Sequence, residues 1–208
     1  MATKTEIANL AIAHLGMGKQ IANIDTEQSN EANVMRLFFD TARDAVLEDF
    51  DWPFARRYIQ LQLVDEAPNS EWGYSYRYPS TAMAIRKIFS GVRNDNRQSR
   101  VSYHIGSDNV GRLIFTDQRQ AQAIYTRQIT DIGVYSAAFI MALSFRLAYY
   151  IAPQLTSGDP FKMQDKVYQL YEIELSRARA NAVNEEQIDE DPQSEFIRSR
   201  ENVIWEKY

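Results

Sequence analysis

Three carboxylates, Glu48, Asp49 and Asp51, stand beside Trp52 in the stretch RDAVLEDFDWPFARRYIQLQL, Arg43 to Leu63. Two carboxyl groups flanking a sugar are the equipment of a glycoside hydrolase, one acting as acid and the other as base or nucleophile. The distance between the carboxyls decides that mechanism, and spacing along a chain does not supply it. His14 and His104, the only histidines, are 90 positions apart in a helix and a strand candidate. So far apart, they read as structural or surface groups rather than a catalytic pair. Gly16-Met17-Gly18-Lys19 has fragments of a phosphate loop but lacks the remaining spacing and a preceding strand, so it reads as a helix stop. No paired-histidine or DxDxDG spacing and no G-x-S-x-G elbow occurs. These patterns assign no catalytic residue, no metal and no cofactor.

Binding offers more candidates. Arg93, Arg97 and Arg100 form the densest basic stretch, in a loop. They suit DNA phosphates or an acidic partner, or simply a solvated loop. Trp72, Tyr74, Tyr76 and Tyr78 alternate in EWGYSYRYP. In a strand they share one face, either the core of a β unit or an interface, where Tyr and Trp are enriched. The last residues, NEEQIDEDPQSEFIRSRENVIWEKY, turn from acidic to mixed and carry Phe196, Ile197, Val203, Ile204, Trp205 and Tyr208. Apolar side chains on such an arm mark a segment that orders when it docks on a neighbour.

The elements that position these residues follow from capping and period. Thr3-x-x-Glu6 is a capping box, and Ile7, Leu10, Ala11 and Leu15 repeat at helical spacing until Gly16 and Gly18. Ser29 or Asn30 caps a second helix with Val34, Leu37, Phe38, Thr41, Ala45 and Val46 as its expected buried stripe. It ends by Phe50, because Pro53 disfavours helical geometry at Trp52. Tyr58 to Val64 then alternates with the period of a half-buried strand. Further strand candidates are Ile85–Phe89, Val101–Ile105, Arg112–Phe115 and Ala121–Thr126. Val134 to Leu155 is apolar nearly all round, a helix packed on several sides, with Pro153 and Gly158 closing it. Asp159-Pro160 opens a last helix to about Asn184, with Phe161, Val167, Leu170, Tyr171 and Leu175 on one side.

Composition bounds the class. A chain of 208 residues that is 45% hydrophobic can bury a core as one domain or a domain with an insertion. It has no cysteine, which removes disulfides and thiolate metal sites and fits a reducing compartment. The first residues lack a signal pattern, and the most apolar run, Ala137 to Ala152, is shorter than the ~20 residues of a membrane span. A net charge of −5 argues against binding nucleic acid through phosphate neutralisation, while an acidic wall suits a passage along which DNA slides. The expected fold is α+β and mainly α. A helical bundle of two N-terminal and two C-terminal helices (1–55 and 130–185) carries an inserted small antiparallel β domain (56–129) and an extended C-terminal arm (186–208).

Four segments taken in order resemble a known family: EIANLAIAHLG, NEANVMRLFFDTARDAVLEDFDWPFARR, YRYPSTAMAIRKIF and YTRQITDIGVYSAAFIMALSFRLAYYIAPQLTSGD. They are similar to the head-to-tail adaptor proteins of short-tailed bacteriophages, the tail tubular protein A-like or head-completion ring proteins. The family's junction motif, Arg-x-x-x-Leu-x-x-x-x-Trp-x-Phe-Ala, is met by Arg43, Leu47, Trp52, Phe54 and Ala55. Thr81 stands where the family often has Asp, and the arm lies outside the resemblance. The resemblance implies a structural virion protein rather than an enzyme, made in the host cytoplasm and placed at the head–tail interface. It implies a homo-oligomeric ring of about twelve copies between portal protein and tail nozzle protein, with genomic DNA passing through unread and no membrane involved. The arm would dock on the portal, and Trp52-Pro53-Phe54 would plug the joint between long helix and β insertion. A tail-associated glycan hydrolase and a monomeric DNA-binding module are the alternatives.

Overall fold

The Thr3 hydroxyl accepts from the Glu6 N–H at 3.2 Å, and the Glu6 carboxylate accepts from the Thr3 N–H at 2.8 Å. That reciprocal pair starts α1 (Lys4–His14). Gly16 stops it in the left-handed region, φ +73°, which costs glycine little. The structure is a computed structural model and describes residues 2–91, 100–156 and 159–185, with side chains as far as residue 181.

Ser29 caps α2 (Asn30–Asp49), its hydroxyl accepting from the Ala32 N–H at 3.3 Å. The buried stripe of α2 is the expected one only in part. Val34 and Val46 are buried and Phe38 and Ala45 half-buried, but Leu37 is 66% exposed and Thr41 is exposed, while Ala32, Met35, Phe39 and Ala42 also point inward. Alanine carries too little apolar weight to mark a face by pattern, yet its small side chain is what lets another helix approach.

Ser136 caps α3 (Ala137–Leu155). Pro153 lies inside the last turn and does not close the helix there. A proline has no N–H for the carbonyl four residues earlier, and here that carbonyl, Tyr149, accepts from Gln164 Nε2 at 3.2 Å instead. Asp159 caps α4 (Pro160–Glu185). Val167, Tyr171, Leu175 and Ala178 form its buried side, whereas Phe161 and Leu170 are exposed. By length and composition α3 could cross a membrane, contrary to the reading of its apolar run as too short, but half of that window is buried. It packs on α1, α2 and α4, the setting of a core helix.

Between α2 and α3 the chain forms β1 (Arg56–Gln60), β2 (Leu63–Glu66), β3 (Tyr74–Arg77), β4 (Ala82–Phe89), β5 (Tyr103–Ser107), β6 (Arg112–Thr116) and β7 (Gln122–Arg127). They make two antiparallel sheets, ordered β1-β7-β4 and β2-β3-β6-β5. This overturns the expected helical bundle with one small β unit. The described residues form an α+β fold of four helices and two sheets.

The difference has two local causes. The single strand read over Tyr58 to Val64 is two strands in different sheets. At Leu61 the chain still pairs with the first sheet, its N–H donating to Ala121 C=O at 2.9 Å. At Gln62 it has joined the second, its C=O accepting from the Arg77 N–H at 2.8 Å. Alternation reports a pleat and says nothing about which sheet supplies the partner. The other cause is β3, which was absent from the expected strands. Its Tyr76 is buried, and the hydroxyl donates to Gln118 C=O at 2.9 Å. Tyr76, Tyr78 and Ile114 share one core with Ile85, Ile88, Ala123 and Tyr125 from the first sheet. The tyrosines whose alternation left core and interface open thus lie, in the case of Tyr76 and Tyr78, in the core between the sheets.

Candidate functional site

A helix that ends leaves its last carbonyls without intrahelical donors. In α2 the chain must turn at once, because Pro53 holds Trp52 extended at φ −66°, ψ 125°. The donors come from elsewhere. Arg86 on β4 reaches back with Nη2 to Leu47 C=O (3.0 Å), Glu48 C=O (2.9 Å) and Phe50 C=O (2.8 Å). Its Nε donates to Thr126 Oγ1 on β7 at 2.7 Å. Arg179 on α4 donates to Asp49 C=O at 3.1 Å. Two guanidinium groups therefore meet the negative end of the helix dipole. Burial lowers the Arg86 pKa and the nearby Asp51 and Glu48 oppose that shift; arginine stays charged at such sites.

Trp52, 2% exposed, fills the space under this turn. Its Nε1 donates to Val46 C=O at 2.7 Å. Its ring meets Phe50 and Phe139 edge to face, each at 5.0 Å. Phe54 is half-buried against Phe139 (5.1 Å) and Tyr135 (5.8 Å), and Pro53 itself is exposed. The aromatic pair thus packs on the start of α3 while Arg86 ties the end of α2 to the first sheet.

The carboxylates that suggested acid–base chemistry serve this joint separately. Asp49 accepts from the Tyr171 hydroxyl at 2.6 Å. Burial first, then Asp49, pushes the Tyr171 phenol far above its ordinary range. Asp51 pairs with Arg56 at 3.0 Å, and Glu48 is exposed. His14 bonds Ser144 Oγ at 3.0 Å and stacks on Phe145 at 3.8 Å, and burial lowers its pKa. His104 is exposed on β5. No group of three or more His, Asp or Glu among the described residues could hold a metal ion.

Of the three candidate arginines, Arg100 is exposed before β5 and lines a concavity of about 360 Å³ with Arg86, Lys87 and Tyr103. Arg93 and Arg97 lie outside the described residues, as do Phe196, Ile197, Val203, Ile204, Trp205 and Tyr208 of the arm. A wider concavity of about 640 Å³ runs between the sheets past Ile59, Arg77, Tyr78, Val110 and Arg112. Its cations have internal partners. Arg77 forks onto Asp108 at 2.9 Å, holding that carboxyl well below the usual range, and Arg112 stacks on Tyr78 at 3.8 Å.

Sequence reasoning missed three features. Arg86 sits in IRKIF, where it reads as a solvated strand residue, and the carbonyls it serves lie 36 to 39 positions earlier. Arg146, the lone charge of α3, lies 5.2–5.7 Å from the rings of Tyr149, Tyr150, Tyr168 and Tyr171. The third was countable. Residues 56–129 hold 11 Lys and Arg against 6 Asp and Glu, net +5, so the remainder of a −5 chain carries −10. No family model matches this chain, and no curated protein matches it.

Trp52→Ala is expected to cost about 3–5 kcal/mol as a large-to-small core change; overlaying urea melts would contradict the plug. Arg86→Lys keeps the charge but loses the planar fork that serves three carbonyls. A loss of about 1.5–3 kcal/mol is expected from hydrogen bonds to a charged group. A lysine variant melting with the native protein would assign the contribution to charge alone.

Proposed function

We propose that this protein is a structural virion component, an adaptor ring between the portal and the tail nozzle of a short-tailed bacteriophage. The observation that carries the reading is the ordered series of four segments from Glu6 to Asp159 that resembles the head-to-tail adaptor family. The placement of the junction motif supports it. Arg43, Leu47, Trp52 and Ala55 are all buried, so the motif marks a joint in the fold, which is what a part with a geometric task requires.

On this reading the protein works by shape. About twelve copies pack head to tail around the channel in a closed cyclic interface. Each copy holds its helices and its two sheets at a fixed angle through Arg86 and Trp52. Exposed apolar residues on both parts, among them Leu37 and Phe161 on the helices and Tyr58 and Val110 on the β side, are available for contacts between copies. The helical part is the acidic part, which suits a wall that repels DNA phosphates and limits sticking during ejection. Genomic DNA is then a passenger rather than a recognised ligand. The arm reaches the portal.

The mass of the protein, alone and after mixing with portal rings, tests this by light scattering behind size exclusion. Portal rings are expected to gain one fixed multiple of the chain, about twelve, and to lose that gain when residues 186–208 are removed. Portal rings of unchanged mass would overturn the adaptor reading, and undiminished joining by the shortened chain would remove the docking role of the arm.

A further inference from the structure

Backbone hydrogen bonds alternate from side to side along a strand, and residues 56–66 show which side is taken where. Leu61 gives its N–H to Ala121 C=O at 2.9 Å, on the side of β7. Arg57 and Ile59 share that side by alternation, so the backbone groups of Tyr58 and Gln60 face away from β7. The next residue, Gln62, accepts from the Arg77 N–H at 2.8 Å, on the side of β3. β1 and β2 each stand at the end of their sheet. Their open edges therefore lie on opposite sides of one short run of chain.

A vacant lane runs beside each open edge. β3 would continue along β1, but the chain turns off at Tyr78-Pro79-Ser80. That leaves the concavity of about 640 Å³ bordered by Ile59 and Val110. β7 approaches β2 in the same way, but Gln120, at φ +53°, turns the chain aside before it. That leaves about 210 Å³ beside Leu63 and Glu66.

The two edges are complementary. β1, RRYIQ, starts basic and then exposes Tyr58 and Ile59. β2, LVDE, exposes Leu63 and Val64 and ends in Asp65 and Glu66. Both carboxylates are exposed and have no side-chain partner among the described residues. Arg56 is engaged by Asp51. Arg57 is exposed, and its Nη1 meets the carbonyls of Phe54 and Arg56. Set antiparallel, Arg57 comes to the Asp65–Glu66 end, and Tyr58 and Ile59 come to Leu63 and Val64. The β2 edge of one copy would fill the lane of β1 in another, and that β1 would fill the lane of β2.

We propose that the open edge of β1 in one copy pairs antiparallel with the open edge of β2 in a second copy. Because the edges face opposite sides, a copy that gives β2 to one neighbour keeps β1 for another. Such a contact is heterologous and builds a ring or a filament rather than a closed pair. A bulge between Leu63 and Asp65 bends β2 and confines the pairing to a few residues. Closure into a ring rests on the adaptor reading, whereas the contact itself does not.

The chain has no cysteine, so introduced ones report alone, and a disulfide needs Cα atoms within about 7 Å. Chains carrying Tyr58→Cys are mixed with chains carrying Val64→Cys, and Ile59→Cys with Leu63→Cys, all at exposed sites. Mild oxidation is applied to the concentrated protein and to the protein on portal rings. Mixed dimers are expected in at least about tenfold excess over dimers formed by one variant alone. Adding Arg57→Glu sets like charges opposite and should cut the mixed yield about fivefold. Adding Asp65→Lys and Glu66→Lys to that chain should restore it. Mixed dimers in neither setting, equal yields from single variants, or no recovery in the charge-exchanged chain would overturn the proposal. If portal rings still gain the chain, the adaptor reading stands without this contact. Mixed dimers from protein that ignores portal rings would uphold the contact and sink that reading.

Discussion

When a helix ends against another part of a protein, its last carbonyls still need donors, and in α2 a distant element supplies them. Arg86 crosses from β4 to three of those carbonyls and bonds Thr126 on β7 with its remaining edge. One side chain thus binds the helix end to two strands. Gln128 Nε2 meets Asp44 at 2.9 Å near by, and Arg56 on β1 pairs with Asp51 at 3.0 Å. A planar fork with five donors can do this, and a point charge cannot.

The rest of the joint is arranged around that tie. Pro53 makes the chain leave the helix at the residue where Arg86 can still reach its carbonyls. Trp52 then fills the space beneath, hydrogen-bonded to the helix it has just left. Phe54 carries the contact on to α3, and α3 holds α4 through the tyrosines around Arg146. Asp49, at the same turn, takes the Tyr171 hydroxyl. Two of the three carboxylates beside Trp52 are thus engaged in holding elements together, Asp49 with Tyr171 and Asp51 with Arg56. On the proposed adaptor reading, the orientation of the two parts matters more than any reactive group.

What was legible in the sequence was local. The Thr3–Glu6 box, the Ser29 cap, the break before Pro53 and the Asp159-Pro160 start each depend on neighbours a few residues apart, and each is where its spacing puts it. What was not legible depended on distant partners. The alternation of Tyr58 to Val64 hid a change of sheet at Leu61. Alanines 32 and 42 hid the true face of α2. Arg86 looked like any strand arginine until the carbonyls it serves were in view. The basic balance of residues 56–129 lay open to counting, masked by the net charge of the whole chain.

If Arg86 and Trp52 couple the helices to the sheets, the two parts must open together. Native-state hydrogen exchange with added urea measures that coupling residue by residue. Amides in the last turns of α2 and in β4 and β7 are expected to exchange with one shared opening free energy that falls along one line with urea. A β side that opens at distinctly lower free energy while the end of α2 stays protected would contradict the account.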